Sequence, residues 1–364
     1  MRHFVFFLIV MTLIGCGNDS ILDVPIASTT LYFPPLHSNE WERTTPEALG
    51  WNTAAIPDLL TFLENNQTRA FIILKDGKIV LETYHGTNIL GTAAFDEHTL
   101  WYWASAGKTL TAALVGIAQQ EGLIDINKPT SNYLGDGWTD LTLQKEQLIT
   151  VKHQLTMTTG LDYNTSNLDC TLPSCLTYKA DAGQQWYYHN APYTLLEKVV
   201  ENATSTDYNQ YTNNKIESRI GMSGQWISQG YNNVYWSTAR DMARFGLLIL
   251  NKGSWNQTQI IADDSYIEQM LASSQTINPA YGYLWWLNGH SSIFYPGFTN
   301  SFNTALSPNA PNDLVAGLGK NGQFVEVIPS LNMVVIRMGE APDNALVPIL
   351  FHDQMWEKIN AVLD

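Results

Sequence analysis

The strand-forming segments of this chain lie towards its two ends. Ala70–Lys75 and Lys78–Tyr84 are apolar, β-branched runs joined by Asp76-Gly77, a dipeptide suited to a tight hairpin turn. Late in the chain, Tyr281–Leu287, Leu314–Leu318, Phe324–Ile328 and Met333–Met338 again read as short strands. The sequence between is mostly helical. Thr109–Gln120 is apolar enough for a buried helix closed by Gly122, and Pro192–Asn202 and Ser237–Leu250 are amphipathic. Thr53–Asn65, with Ile56, Leu59, Leu60 and Leu63 at helical spacing, precedes the hairpin, and Asn344–Leu363 closes the chain as a helix. This order predicts an α+β fold. One antiparallel sheet is built from both ends of the chain, flanked by helices, with a helical subdomain inserted. A cleft where the two parts meet is the expected place for a small-molecule site.

Composition narrows what such a cleft can serve. The 364 residues are 45% hydrophobic, enough for one large domain or two modest ones. A net charge of −15 repels phosphate backbones and argues against nucleic acid as a partner. Charged residues make up only 15%, whereas Trp and Tyr number 12 and 17, a balance that suits an extracytoplasmic protein handling small or glycan-like molecules.

Met1–Gly15 carries Arg2 and then an apolar run from Phe4 to Ile14, too short for a stable bilayer span and matching a signal-peptide core. Its end, Leu13-Ile14-Gly15-Cys16, resembles the bacterial lipoprotein processing box, in which the cysteine is lipidated. Residues 1–15 are therefore expected to be a signal peptide and residues 16–45, polar and proline-bearing, a tether. Residues 46–364 are the expected folded domain. The expected location is the bacterial cell envelope, lipid-anchored and facing the periplasm; Gly17 after Cys16 resembles the sorting pattern for the outer membrane. Cys170 and Cys175 flank a proline turn, and in an oxidising compartment so close a pair reads as a disulfide-closed loop. A metal site there lacks a second Cys or His pair.

Three short motifs carry candidate chemistry. In Ser105-Ala106-Gly107-Lys108, at the start of the expected buried helix, serine and lysine share a face. A lysine buried among apolar groups loses proton affinity and can serve as the base that activates serine. A serine three residues before a lysine also arises by chance about once in a chain this long. In Tyr187-Tyr188-His189-Asn190, Tyr188 near a cationic lysine is expected to ionise below its usual range and shuttle a proton. Asn190 offers a donor and an acceptor, and His189, between them, is expected to point away. In Gly319-Lys320-Asn321-Gly322-Gln323 the plain reading is a hairpin turn. The functional reading puts Lys320 at the cleft edge to meet a substrate carboxylate, with the Gln323 N–H as an oxyanion donor.

Together, Ser105-x-x-Lys108, Tyr188-x-Asn190 and Lys320-x-Gly322 resemble, in order and rough spacing, the penicillin-recognising serine hydrolases. The resemblance is to the class C β-lactamase-like branch, which includes DD-peptidases, esterases and amide hydrolases. Glu121–Pro129, Ile149–Leu161, Asp241–Gly246 and Tyr281–Trp286 are similar to further family blocks. It implies a β-lactamase/transpeptidase-like fold, Ser105 as the acylated nucleophile, Lys108 as base and Tyr188 as proton shuttle. Asn190, Lys320 and Gly322 become substrate-binding positions, and the Ser105 and Gln323 N–H groups the oxyanion hole. It implies hydrolysis of a small ester, amide or peptide without metal or organic cofactor. Asn321 departs from the family's usual threonine, which grips the carboxylate of β-lactams, so an esterase or small-peptide amidase is expected ahead of a β-lactamase or DD-peptidase. The competing class is a penicillin-binding envelope lipoprotein that acylates without turnover.

Overall fold

The computed structural model describes residues 31–364. The expected signal peptide, Cys16 and the first half of the expected tether lie outside the described residues.

Helix α1 (Ile56–Asn65) leads into strands β1 (Thr68–Lys75) and β2 (Lys78–Tyr84). Their turn holds Asp76 at φ 52° and Gly77 at φ 82°, the left-handed pair that a tight hairpin requires. Strand β3 (Trp101–Tyr102) and helix α2 (Gly107–Gln120) follow, then α3 (Asn190–Thr204), β4 (Gly224–Gln229), β5 (Asn232–Ser237) and α4 (Ala239–Leu250). Strands β6 (Trp286–Leu287), β7 (Val315–Gly319), β8 (Gln323–Ile328) and β9 (Met333–Gly339) precede the closing helix α5 (Ile349–Leu363). The main sheet has the order β2-β1-β9-β8-β7-β6. It is antiparallel throughout, and β1 pairs with β9 through Phe71↔Arg337 and Ile73↔Val335. The two ends of the chain thus meet in one sheet, as expected.

Helices cover both faces, so β8 and β9 are buried along their whole length and read as near-continuous apolar runs. On one side α4 lies along β8 and β9. Its start is fixed by a capping box between Thr238 and Asp241. On the other side Phe351 of α5 stacks on Phe62 of α1, with ring centroids 5.5 Å apart, and on Phe324 of β8. The charged exceptions in these strands are both partnered. The Glu326 carboxylate bonds His352 Nε2 at 2.6 Å and accepts from Trp356 Nε1 at 3.0 Å, which pins α5 to the sheet.

Three expectations need correction. Tyr281–Leu287 is strand only at its last two residues, because Leu284 turns left-handed (φ 62°) and the Gly282 N–H donates to the Trp285 carbonyl. Residues 31–45 are not a free tether. Phe33 packs edge-on to Trp255, Trp41 Nε1 donates to the Gly77 carbonyl, and Arg244 is wrapped by the Pro35 and Ser38 carbonyls. A second sheet, β3-β5-β4, also stands where helix was expected. Its polar residues Gln225, Ser228, Asn232 and Asn233 conceal the buried Trp226 and Tyr235 that seat it.

Candidate active site

Strand β7 lies directly against the turn that carries Ser105. A Cβ on Gly319 would fall 2.6 Å from the Trp103 carbonyl oxygen and 3.0 Å from Ala106 N, so only glycine allows this approach. Ser105 and Lys320, far apart in sequence, consequently face one cavity. Ser105 sits in a 3-10 turn, Ala104–Ala106, that feeds α2. Ala104 adopts φ 47°, a left-handed conformation costing roughly 1 kcal/mol or more for a residue with a Cβ. The surroundings hold it there. The Trp103 N–H donates to the Tyr235 carbonyl, and Trp103 Nε1 to Ser237 Oγ, each at 2.8 Å.

One helical turn on, Lys108 is 4% exposed and its Nζ reaches Ser105 Oγ at 3.3 Å. The ammonium lies 3.8 Å from the Tyr193 ring centroid and 5.3 Å from that of Tyr188. Burial pulls its pKa down to about 7, with the Asp169 carboxylate drawing it partly back up. A large share of Lys108 is therefore a free amine at neutral pH, able to take a proton from serine.

Tyr188 lies two residues before the start of α3, its ring stacked on Trp286 at 5.7 Å. The expectation that it ionises easily is reversed. Burial raises its pKa above the ordinary tyrosine value, and a hydrogen bond with Ser105 offsets only part of that. Tyr188 is therefore a neutral phenol. Asn190 is the first residue of α3, and its Nδ2 donates to Asp169 Oδ1 at 2.8 Å. Asp169 has no motif to betray it, yet it lines the cavity just before a disulfide that joins Cys170 to Cys175.

The cavity, about 530 Å³, brings together Ser105, Lys108, Asp169, Tyr188, Asn190 and Lys320, with Tyr102, Tyr193 and Trp236 as aromatic wall. Gly322 and Gln323 are not on that wall. Gln323 is fully buried, its Nε2 donating to the Lys320 and Gly339 carbonyls and its Oε1 accepting from the Gly339 N–H. Gly322 (φ 76°) backs onto Arg337, whose Nη1 donates to the Asn321 and Gly322 carbonyls at 2.6 and 2.9 Å. These residues brace the turn from behind, and Lys320 and Asn321 present it to the cavity. Asn321 Nδ2 is engaged by Tyr102 Oη at 2.8 Å. His189 is buried beside Tyr187 and off the cavity wall; desolvation lowers its pKa to about 4, so it is neutral. Among the described residues, no three His, Cys, Asp or Glu side chains gather as a metal site.

Comparison with known proteins identifies the family and the fold. A family model described as Beta-lactamase matches residues 65–339. The 6-aminohexanoate-dimer hydrolase of Paenarthrobacter ureafaciens is 23% identical over 326 residues, covering 79% of this chain and 76% of that protein. Among solved structures, a penicillin-binding protein homologue from Caulobacter crescentus superposes with a TM-score of 0.65 at 12% identity, over 85% of this chain and 97% of its own. A family VIII carboxylesterase gives a TM-score of 0.63 at 15% identity, over 85% and 97%.

Proposed function

The chain belongs to the β-lactamase family of serine hydrolases, and from that premise we propose that it cleaves a small ester or amide through an acyl-enzyme on Ser105. The observation that carries this reading is Lys108, buried, drawn to a pKa of about 7 and within 3.3 Å of Ser105 Oγ in the wall of the cavity. As a free amine, Lys108 takes the serine proton while Oγ attacks the substrate carbonyl. The oxyanion that forms is stabilised by the Ser105 N–H and by the N–H of Lys320, which follows the glycine abutting Ala104 and Ala106. Tyr188, hydrogen-bonded to Ser105 and held neutral, passes a proton to the departing oxygen or nitrogen. The Lys108 ammonium returns its proton to Tyr188, so both are neutral when water enters. Water then bonds to the acyl carbon while giving a proton to Lys108, and that proton passes to Ser105 Oγ as the C–Oγ bond breaks and the acid leaves.

Ester or unstrained amide substrates are favoured over β-lactams because Asn321 occupies the position whose hydroxyl would hold a β-lactam carboxylate, and its amide is committed to Tyr102. The similarity to a 6-aminohexanoate-dimer hydrolase and to a carboxylesterase supports that order. An intact-mass time course with an aryl ester and, separately, a penicillin tests it. The wild type should show a transient ester adduct and a lasting penicillin adduct, both missing from Ser105→Ala. Turnover in Ser105→Ala equal to that of the wild type would sink the mechanism. Faster hydrolysis of a chromogenic cephalosporin than of aryl esters would restore the β-lactamase reading.

We extend the proposal to location: the Leu13–Cys16 box supports a lipid-anchored envelope protein. Radiolabelled palmitate should enter the wild-type chain and not Cys16→Ser.

A further inference from the structure

We propose that the cleft selects substrates bearing a protonated amine a few bonds from the scissile carbonyl, with Asp169 as the carboxylate that recognises it. The inference rests on the acyl-transfer reading above and narrows its substrate class.

Asp169 is a half-buried carboxylate on the cavity wall, and among the described residues it makes no ion pair within 4 Å. It is held rigidly all the same. Oδ1 accepts from Asn190 Nδ2 at 2.8 Å, the Asp169 N–H donates to Asn167 Oδ1 at 2.9 Å, and the Ala191 N–H donates to the Leu168 carbonyl at 3.0 Å. The Cys170–Cys175 disulfide closes the chain immediately after it. A fixed carboxylate on the cavity wall with no ion-pair partner is a ready acceptor for a cationic ligand, because its position is set before binding. An ammonium has N–H donors and no acceptor. Its complement here is the Asp169 carboxylate, next to Asn190 Oδ1, a buried acceptor that makes no hydrogen bond.

The other charged groups fix the direction of binding. Lys108, with a pKa of about 7, is only a partial counter-ion, and in the form that acts as base it carries no charge. Asp169 and Ser105 line the same cavity, so a cation held on Asp169 shares it with the reacting carbonyl. His189, the other basic group that senses Asp169, is neutral. The exposed Lys320 on the opposing turn repels an amine and turns that end of the substrate towards Asp169. The remaining wall is aromatic (Tyr102, Trp236), amide (Asn232, Asn233) and aliphatic (Val234, Leu346), with no charge to compete.

The test uses the p-nitroanilide of β-alanine, its N-acetyl form and its N-succinyl form. In the wild type kcat/KM should fall in that order, with about a tenfold step or more from free amine to acetylated amine. Asp169→Asn should collapse that step, and Asp169→Glu should keep most of it. An unchanged ratio in Asp169→Asn, or no preference in the wild type, overturns the proposal. Calorimetric binding of β-alaninamide and N-acetyl-β-alaninamide to Ser105→Ala needs no turnover. Tighter binding of the amine there, lost when Asp169→Asn is added, supports the subsite even if no anilide is cleaved, and only the acyl-transfer reading would then fail. Equal binding of the two amides overturns the subsite itself.

Discussion

Lys108 and Arg337 are both basic side chains sealed inside the same domain, the first on the cleft wall and the second behind the Lys320–Gly322 turn, and the protein treats them in opposite ways. Lys108 is surrounded by the Tyr188 and Tyr193 rings and reaches a single hydroxyl, Ser105 Oγ. Arg337 is fully buried too, but its guanidinium donates to the Asn66, Asn321, Gly322 and Glu340 carbonyls and to Thr68 Oγ1. Burial lowers the pKa of both, to about 7 for the lysine and about 9 for the arginine, which leaves only Arg337 firmly charged at neutral pH. A buried cation without acceptors gives up its proton and becomes a base. One with a full set of acceptors keeps its charge and ties strands together, here at the foot of the Lys320–Gly322 turn.

The comparison breaks most easily at the lysine. Lys108→Met should lower kcat/KM by roughly 100- to 10,000-fold, the usual worth of a positioned acid–base group. Its melting temperature should hold or rise, because a desolvated amine gives way to an apolar chain of similar volume. Activity close to wild type would mean another group activates Ser105. Arg337→Met should do the reverse, costing roughly 3 kcal/mol of stability by stranding buried carbonyls. Denaturant titration reads that loss. Arg337→Lys should recover only part of it, since an ammonium cannot reproduce the planar fork. A variant as stable as wild type would show that the turn needs no brace.

A smaller effect is expected from the loop that carries Asp169. The double variant Cys170→Ser, Cys175→Ser removes a short closed loop, worth roughly 2 kcal/mol by chain entropy. Because Asp169 and Leu168 stay tied to α3 through Asn190 and Ala191, the kinetic change should appear as a raised KM more than a lowered kcat. A collapse of kcat instead would place the loop's influence on Lys108 rather than on substrate.

The asymmetry also explains what could be read from the residues alone. Ser105 and Lys108 are legible because helical geometry alone puts positions three apart on one face. The main sheet is legible because strands buried on both faces are apolar along their length. Asp169 and Arg337 are not legible. One matters through Asn190, which only the packing of the 168–175 loop on α3 brings near, and the other looks like a charge interrupting a strand. The Gly322 and Gln323 reading failed for a related reason. Motif spacing locates the turn but does not say which of its residues face the cleft, and that is decided by Gly319 against Ala106 and by Arg337 behind Gly322.

The finest test of the contrast is a pH profile. If Lys108 must be a free amine, kcat/KM for a neutral aryl ester should rise with pH through an inflection near 7, where its pKa lies. Below that value the lysine is protonated and cannot accept the serine proton, so activity is lost towards acid. Asp169 raises the Lys108 pKa, and its charge is removed in Asp169→Asn, so the inflection should move to lower pH in that variant. The sign matters more than the size. A shift to higher pH, or none, would mean that the field at Lys108 is set elsewhere. No group near Arg337 should move the inflection, because its hydrogen bonds already satisfy its charge.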